Sequence, residues 1–302
     1  MMENRILTIS PDRIPKVLFI GNGIVRLAGG GGWDKLLETL NGRNVSKDIL
    51  ENVPFAMLPE VMNGVNVEEV QRKTSQTLEN VGTSVHPLLR ELLKLPFDAI
   101  LTTNYTYEIE TVLSAKPWNN NRRREAYRAL HGSVHVTGNT SVCNLVRTED
   151  GRQIPVFHIH GEQQRKHSMI LSYYSYAKAV AGLYALNKER GNQYEEKALD
   201  SEAVEVWSWL DYFILGEVYS VGFGFDFSEF DVWWAMERKA REHAPHGKLH
   251  MYMAEKTDKP LKQTVLAEAM DAEVKRYDVT DNFEPAYEKI CEEIKRAITT
   301  VG

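Results

Sequence analysis

The chain has only two cysteines, Cys143 and Cys291, in 302 residues. Two thiols cannot build a disulfide framework or a four-cysteine zinc site, and their scarcity fits a reducing compartment. No apolar run approaches the roughly 20 residues that a membrane-spanning helix needs. Met1 to Lys16 has no apolar stretch followed by a small-residue cleavage site, so the expectation is a cytoplasmic protein outside the membrane. A basic surplus is missing too: 36 Lys and Arg stand against 42 Asp and Glu, a formal net charge of -6. That balance argues against direct nucleic-acid binding, which relies on Lys and Arg to meet phosphates. The densest basic cluster, Arg122-Arg123-Arg124, follows Pro117 and three asparagines and reads as a solvated helix start. There is no internal repeat and no low-complexity tract.

What the chain does have is alternation. Short apolar runs at Val17 to Ile20, Ala99 to Thr102, Val156 to Ile159, Met169 to Leu171, Val218 to Val221, Leu249 to Met253 and Val274 to Tyr277 read as strands. Between them, helical spacing marks Trp33 to Leu40, His86 to Leu95, Tyr107 to Leu113, Tyr174 to Leu186, Ser201 to Phe213, Phe230 to His243 and Phe283 to Ile298. The last carries a one-sided stripe of Phe283, Ala286, Tyr287, Ile290, Ile294 and Ile298. Strands alternating with helices predict an α/β fold, a Rossmann-like and mostly parallel sheet flanked by helices. Two stretches, about 41–85 and 116–153, fit the scheme poorly and read as helical or loop insertions beside the sheet. The expectation is one nucleotide-binding domain over 1–302, decorated by these two insertions.

Three strands end in residues that can bind rather than pack. Val17 to Ile20 runs into Gly21-Asn22-Gly23, a turn whose backbone N–H groups can approach a phosphate because no side chain intervenes. The dehydrogenase fingerprint would need a third glycine where Arg26 stands, and no acidic residue ends a second strand at the required distance, so hydride transfer is disfavoured. Ala99 to Thr102 runs into Thr103-Asn104-Tyr105-Thr106, where donors and acceptors suited to a carboxamide, ribose hydroxyls or a water compete with a helix-capping role for Asn104. Val156 to Ile159 runs into His160-Gly161. His158 and His160, at i and i+2, could chelate a metal from one strand face, but no ligand cluster accompanies them, so no metal is expected. His158 then reads as a satisfied core histidine and His160 as the functional one. The rival pair His131-Gly132 reads as a helix end. A later strand runs into Gly222-Phe223-Gly224-Phe225-Asp226, with Asp226 able to accept from a hydroxyl or merely to cap the next helix. Trp207, Trp209, Trp233 and Trp234 read as helical packing residues.

Taken together, these segments resemble the sirtuin-like family, above all its prokaryotic branch of NAD hydrolases in anti-phage defence. The resemblance spans Val17 to about Met253 and rests on Gly21-Asn22-Gly23, Thr103-Asn104-Tyr105, His160-Gly161 and Gly222-Phe223-Gly224. The run Ser168 to Tyr176 looks like that branch's tyrosine-containing helix start. The departures are equally plain. The two cysteines exclude the zinc ribbon usual in protein-deacylating sirtuins, Asn22 and Val25 stand where Ala and Ser are commoner, and Thr106 replaces an Asp that usually helps hold the nicotinamide carboxamide.

The resemblance implies that NAD is the substrate and that its nicotinamide-ribose bond is cleaved to nicotinamide and ADP-ribose. Asn104 would hold ribose and the attacking water, and His160 would bind ribose hydroxyls and assist deprotonation near neutral pH. Gly21, Asn22, Gly23, Thr103, Thr106, Gly222, Gly224 and Asp226 would bind the rest of the dinucleotide. A non-catalytic NAD or ADP-ribose module and a zinc-free deacylase are the alternatives. A homo-oligomer, with a separate regulatory or sensor protein, is the expected assembly.

Overall fold

The computed structural model describes residues 6–29, 33–79, 84–130, 142–255 and 262–300. Its strands are β1 (Thr8–Ile9), β2 (Lys16–Ile20), β3 (Ala99–Thr102), β4 (Tyr127–Ala129), β5 (Val142–Arg147), β6 (Gln153–His158), β7 (Val204–Glu205), β8 (Glu217–Val221), β9 (Leu249–Glu255) and β10 (Glu273–Asp278). Eight of them form one sheet in the order β10-β9-β8-β2-β3-β6-β5-β4, while β1 and β7 pair separately. From β10 to β6 all neighbours are parallel, and β5 runs antiparallel to both β6 and β4. The fold is Rossmann-like α/β, as the alternation implied.

The helices are α1 (Asn22–Val25), α2 (Trp33–Leu40), α3 (Lys47–Glu51), α4 (Leu58–Asn63), α5 (Val67–Glu79), α6 (Pro87–Leu93), α7 (Glu108–Leu113), α8 (Asn120–Ala126), α9 (Tyr173–Arg190), α10 (Gln193–Leu199), α11 (Trp209–Leu215), α12 (Phe230–Ala240), α13 (Lys262–Ala269) and α14 (Glu284–Thr300). Successive strand residues point to opposite faces, so the continuous apolar run of β2 fills two cores at once. Val17 and Phe19 pack with Leu101, Phe157 and Val218 against Leu183 of α9, Phe213 of α11 and Met236 of α12. Leu18 and Ile20 pack with Ile100, Val156 and Val221 against Leu92 of α6, Ile109 of α7 and Ile290 and Ile294 of α14. The α14 stripe buries Ala286, Tyr287, Ile290, Ile294 and Ile298, whereas Phe283 precedes the helix and is exposed.

Several expectations need correction. Met169 to Leu171 is buried but joins no ladder; its backbone is satisfied by His160, the Gln71 side chain and the Tyr105 hydroxyl. The helical spacing over Ser201 to Phe213 conceals β7, and the helix begins only at Trp209, where Ser208 and Asp211 form a reciprocal capping box. Trp207 therefore lies outside that helix, under the Arg190 guanidinium. Within 41–85 lie α3, α4 and α5, and Leu58 and Met62 of α4 join Leu36, Leu37 and Leu40 of α2 in a satellite core. The stretch 116–153 supplies β4 and β5, so part of it extends the sheet rather than lying beside it. No helix among the described residues is long and apolar enough to cross a membrane.

Candidate active site

Strand order reverses at β2: the chain moves outward through β3 and β6 on one side and through β8, β9 and β10 on the other. Open α/β sheets bind ligands at such a switch point, beyond the carboxyl ends of the strands. Here the loops after β2 and β8 lie directly on each other. Gly23 donates its N–H to the Gly222 carbonyl at 2.7 Å, and Gly21 donates to Val221 at 2.9 Å. Gly222 adopts φ +70°, and a Cβ there would sit 2.6 Å from the Ile24 nitrogen. Only glycine fits that crossing. Gly224 differs, because a Cβ added to it meets nothing within 4 Å.

The crossing lies in the wall of a cleft of about 410 Å³. Asn22, Gly23, Thr103, Asn104, Thr106, His160, Gly222, Gly224 and Asp226 all line it, and Gly21 packs immediately behind. Tyr252, Met253 and Ala254 close the β9 end, and Leu36, Phe55 and Leu78 supply an apolar wall. Arg26 is exposed at the loop crossing and brings a cation to the lining. Asp226 is partly committed elsewhere: its Oδ1 accepts from the Ser228 N–H at 2.9 Å and hydroxyl at 2.6 Å, a local turn ahead of α12 rather than the helix cap weighed as its alternative, since α12 starts after Glu229 with no side-chain cap.

The two histidines part company. β6 ends at His158, and a turn closed by Gly161 N–H to the His158 carbonyl swings His160 away, so they do not share a strand face and do not chelate together. His158 points Nδ1 at the Asn104 carbonyl, 2.6 Å away, and Nε2 at Glu110 Oε1, 2.8 Å away. Both partners only accept, so both ring nitrogens must carry protons. Burial opposes the charge, but Glu110 and Glu162 overcome it and raise the His158 pKa to about 9. Asn144 links the same carboxylates, donating to Glu110 and Glu162 at 2.9 Å each. This network holds the backbone of Asn104 from behind. In front, Asn104 Nδ2 makes one long contact of 3.4 Å to the Gly21 carbonyl.

His160 is also buried, yet its described hydrogen bonds use Nε2 alone, 3.1 Å from Asp231 Oδ2. Glu229 Oε2 lies 3.5 Å away and accepts from the Tyr176 hydroxyl at 2.7 Å. Burial disfavours the imidazolium, while Asp231 and Glu229 raise its pKa to about 9. The near-neutral titration expected of His160 is therefore not what its surroundings produce. Burial in turn pushes the Glu229 carboxyl up. His160, Glu229 and Asp231 form the group among the described residues able to hold a metal ion, their ligand atoms lying within 4.8 Å of one another.

Glu229 and Asp231 meet His160, the first lining the cleft together with Tyr176 and Glu108; none of the four was among the expected site residues. The acidic pair at i and i+2 opening α12, just after a glycine loop, was the available signal for the first two. His131 lies outside the described residues. Comparison with known proteins assigns no family: no family model matches the chain, and no curated protein matches it.

Proposed function

We propose that the chain is an NAD glycohydrolase, cleaving the nicotinamide-ribose bond to release nicotinamide and ADP-ribose. The observation that carries this reading is the reach of one cleft from β9 across the switch point to His160. Neighbouring strands lie about 4.8 Å apart, so the four steps from β9 to β6 cover roughly 19 Å, a length suited to an extended dinucleotide. The loop crossing beside Arg26 suits the diphosphate, with backbone N–H groups and one cation. Tyr252 and its neighbours suit adenosine, and the half lined by Asn104 and His160 suits the scissile bond.

The chemistry matches the groups present. Nicotinamide leaves without protonation, because it departs from a cationic ring, so the site must orient ribose, stabilise positive charge and admit water. Glu229 lines the cleft beside His160, where its carboxyl can face the developing oxocarbenium ion, and Asn104 positions water and a ribose hydroxyl. Proton removal falls to His160 in its neutral form, with Nδ1 toward the ligand and Nε2 held by Asp231. The resemblance assigns this activity to anti-phage defence, working as a homo-oligomer under a separate regulatory or sensor protein. Light scattering of the active protein tests the oligomer, which a fully active monomer removes.

Incubation of pure protein with NAD, with and without an acetylated peptide, tests the activity. Equal amounts of nicotinamide and ADP-ribose without peptide support hydrolysis. Release only with peptide supports deacylation, and binding without turnover supports a sensor module.

A further inference from the structure

His160, Glu229 and Asp231 bring three atoms able to ligate a metal within 4.8 Å of one another, and their charges do not cancel. The Tyr176 hydroxyl donates to Glu229 at 2.7 Å and the Val232 N–H to Asp231 at 3.0 Å, but among the described residues no Lys or Arg pairs with either carboxylate. One imidazole serves both. Even as an imidazolium it leaves one surplus negative charge when the two carboxylates are ionised, in a place that water hardly reaches. Buried charge in excess calls for a cation.

The distances suit a small divalent ion. A tetrahedral centre with ligands at about 2.1 Å has edges of about 3.4 Å. His160 Nε2 stands 3.1 Å from Asp231 Oδ2 and 3.5 Å from Glu229 Oε2. His160 and Glu229 also line the cleft, which leaves the fourth position to it, as in zinc sites that keep an exchangeable ligand. An imidazole nitrogen with two carboxylates favours zinc and its first-row neighbours over magnesium and calcium, which take oxygen ligands.

We propose that His160, Glu229 and Asp231 bind a divalent transition ion of the zinc class, and that this ion shuts off the proton acceptor in the cleft. The ion takes the Nε2 lone pair, so an imidazolium releases its Nε2 proton to solvent and keeps the one on Nδ1. Nδ1 thereby turns from acceptor to donor. The same ion claims the Glu229 carboxylate. The switch rests on the glycohydrolase reading, whereas the metal site stands on its own geometry.

The test titrates the full chain, stripped of metal by a chelator, with Co²⁺, whose visible absorption reports a tetrahedral site, and then with Zn²⁺ to displace it. One tight equivalent is expected in wild type. Asp231→Asn and Glu229→Gln should weaken it by more than about 100-fold, since changes one shell further out already cost roughly 10–100-fold. No tight equivalent in wild type, or wild-type affinity in either folded variant, overturns the site. Should neither variant fold, anomalous scattering at the zinc edge from wild-type crystals decides, and an ion away from His160 Nε2 overturns it. In the NAD assay, Zn²⁺ that fills the site should lower nicotinamide release by about tenfold or more, and chelation should restore it. Undiminished turnover with the site filled overturns the switch and keeps the glycohydrolase reading. A wild type that binds the ion but cleaves no NAD without it keeps the site and overturns both the switch and that reading.

Discussion

His158 and His160 stand two residues apart, both buried and both with a pKa raised to about 9, yet they belong to different parts of the molecule. His158 has both nitrogens bonded, to the Asn104 carbonyl and to Glu110, inside a network that continues through Asn144 to Glu162. Burial works against the charge on Glu162, but His158 and Arg165 hold it below the usual carboxylate range. His160 has one nitrogen held by Asp231, and it lines the cleft. A shifted pKa alone would nominate both. Under the proposed function, hydrogen-bonding capacity left for a ligand marks His160 as the working histidine and His158 as the supporting one.

The largest expected effect is on turnover. Asn104→Ala should bring nicotinamide release to background, and His160→Gln should lower it by roughly 10²–10⁴-fold, the usual worth of a positioned proton acceptor. Losing the His158 imidazolium instead should act first on stability: His158→Ala leaves Glu110 buried without its partner, which costs about 3–5 kcal/mol. Denaturant unfolding with parallel assays checks the contrast. A stable, inactive His158→Ala beside an unstable, active His160→Gln would reverse the two roles. His131→Ala should leave nicotinamide release close to wild type, and a dead variant there would move the site.

A second expectation concerns pH and activity. If neutral His160 removes the proton, kcat/KM should climb with pH until about 9, where free His160 titrates. Asp231→Asn removes one carboxylate that raises this pKa, so the limb should shift to lower pH. A limb that stays in place would detach Asp231 from His160.

The smallest effect is on stability against pH. Both histidines have folded pKa values raised above 6.5. Their contribution is therefore full below pH 6.5 and disappears as pH rises through about 9. Unfolding free energy should decline across that window, and His158→Gln should remove part of the slope. An unaltered slope would deny His158 its charge.

Much of this was legible in the sequence. The β2, β3, β8 and β9 runs were clear because strands buried on both faces are apolar throughout, and the residues where β2, β3 and β8 end meet at one switch point. The fate of Met169 to Leu171 was not legible, because apolar character reports burial and not which backbone groups lie alongside. β5 was hidden by its mixed composition, with Asn144 serving the buried carboxylates from within a strand. The parting of the two histidines depended on where β6 stops, and boundaries are the least readable feature of a pattern. Asp231 and Glu229 lie some 70 residues from His160, and only folding shows that they meet.

The most direct test of the account is product analysis of NAD incubated with purified wild type and with Asn104→Ala whose thermal unfolding matches the wild type. Among the described residues the side chain of Asn104 makes one long hydrogen bond, so its loss should spare the fold while removing the group proposed to orient ribose and water. The account predicts stoichiometric nicotinamide and ADP-ribose from wild type and neither above background from the variant. Intact NAD with wild type under all conditions, or full turnover by a well-folded Asn104→Ala, would contradict it.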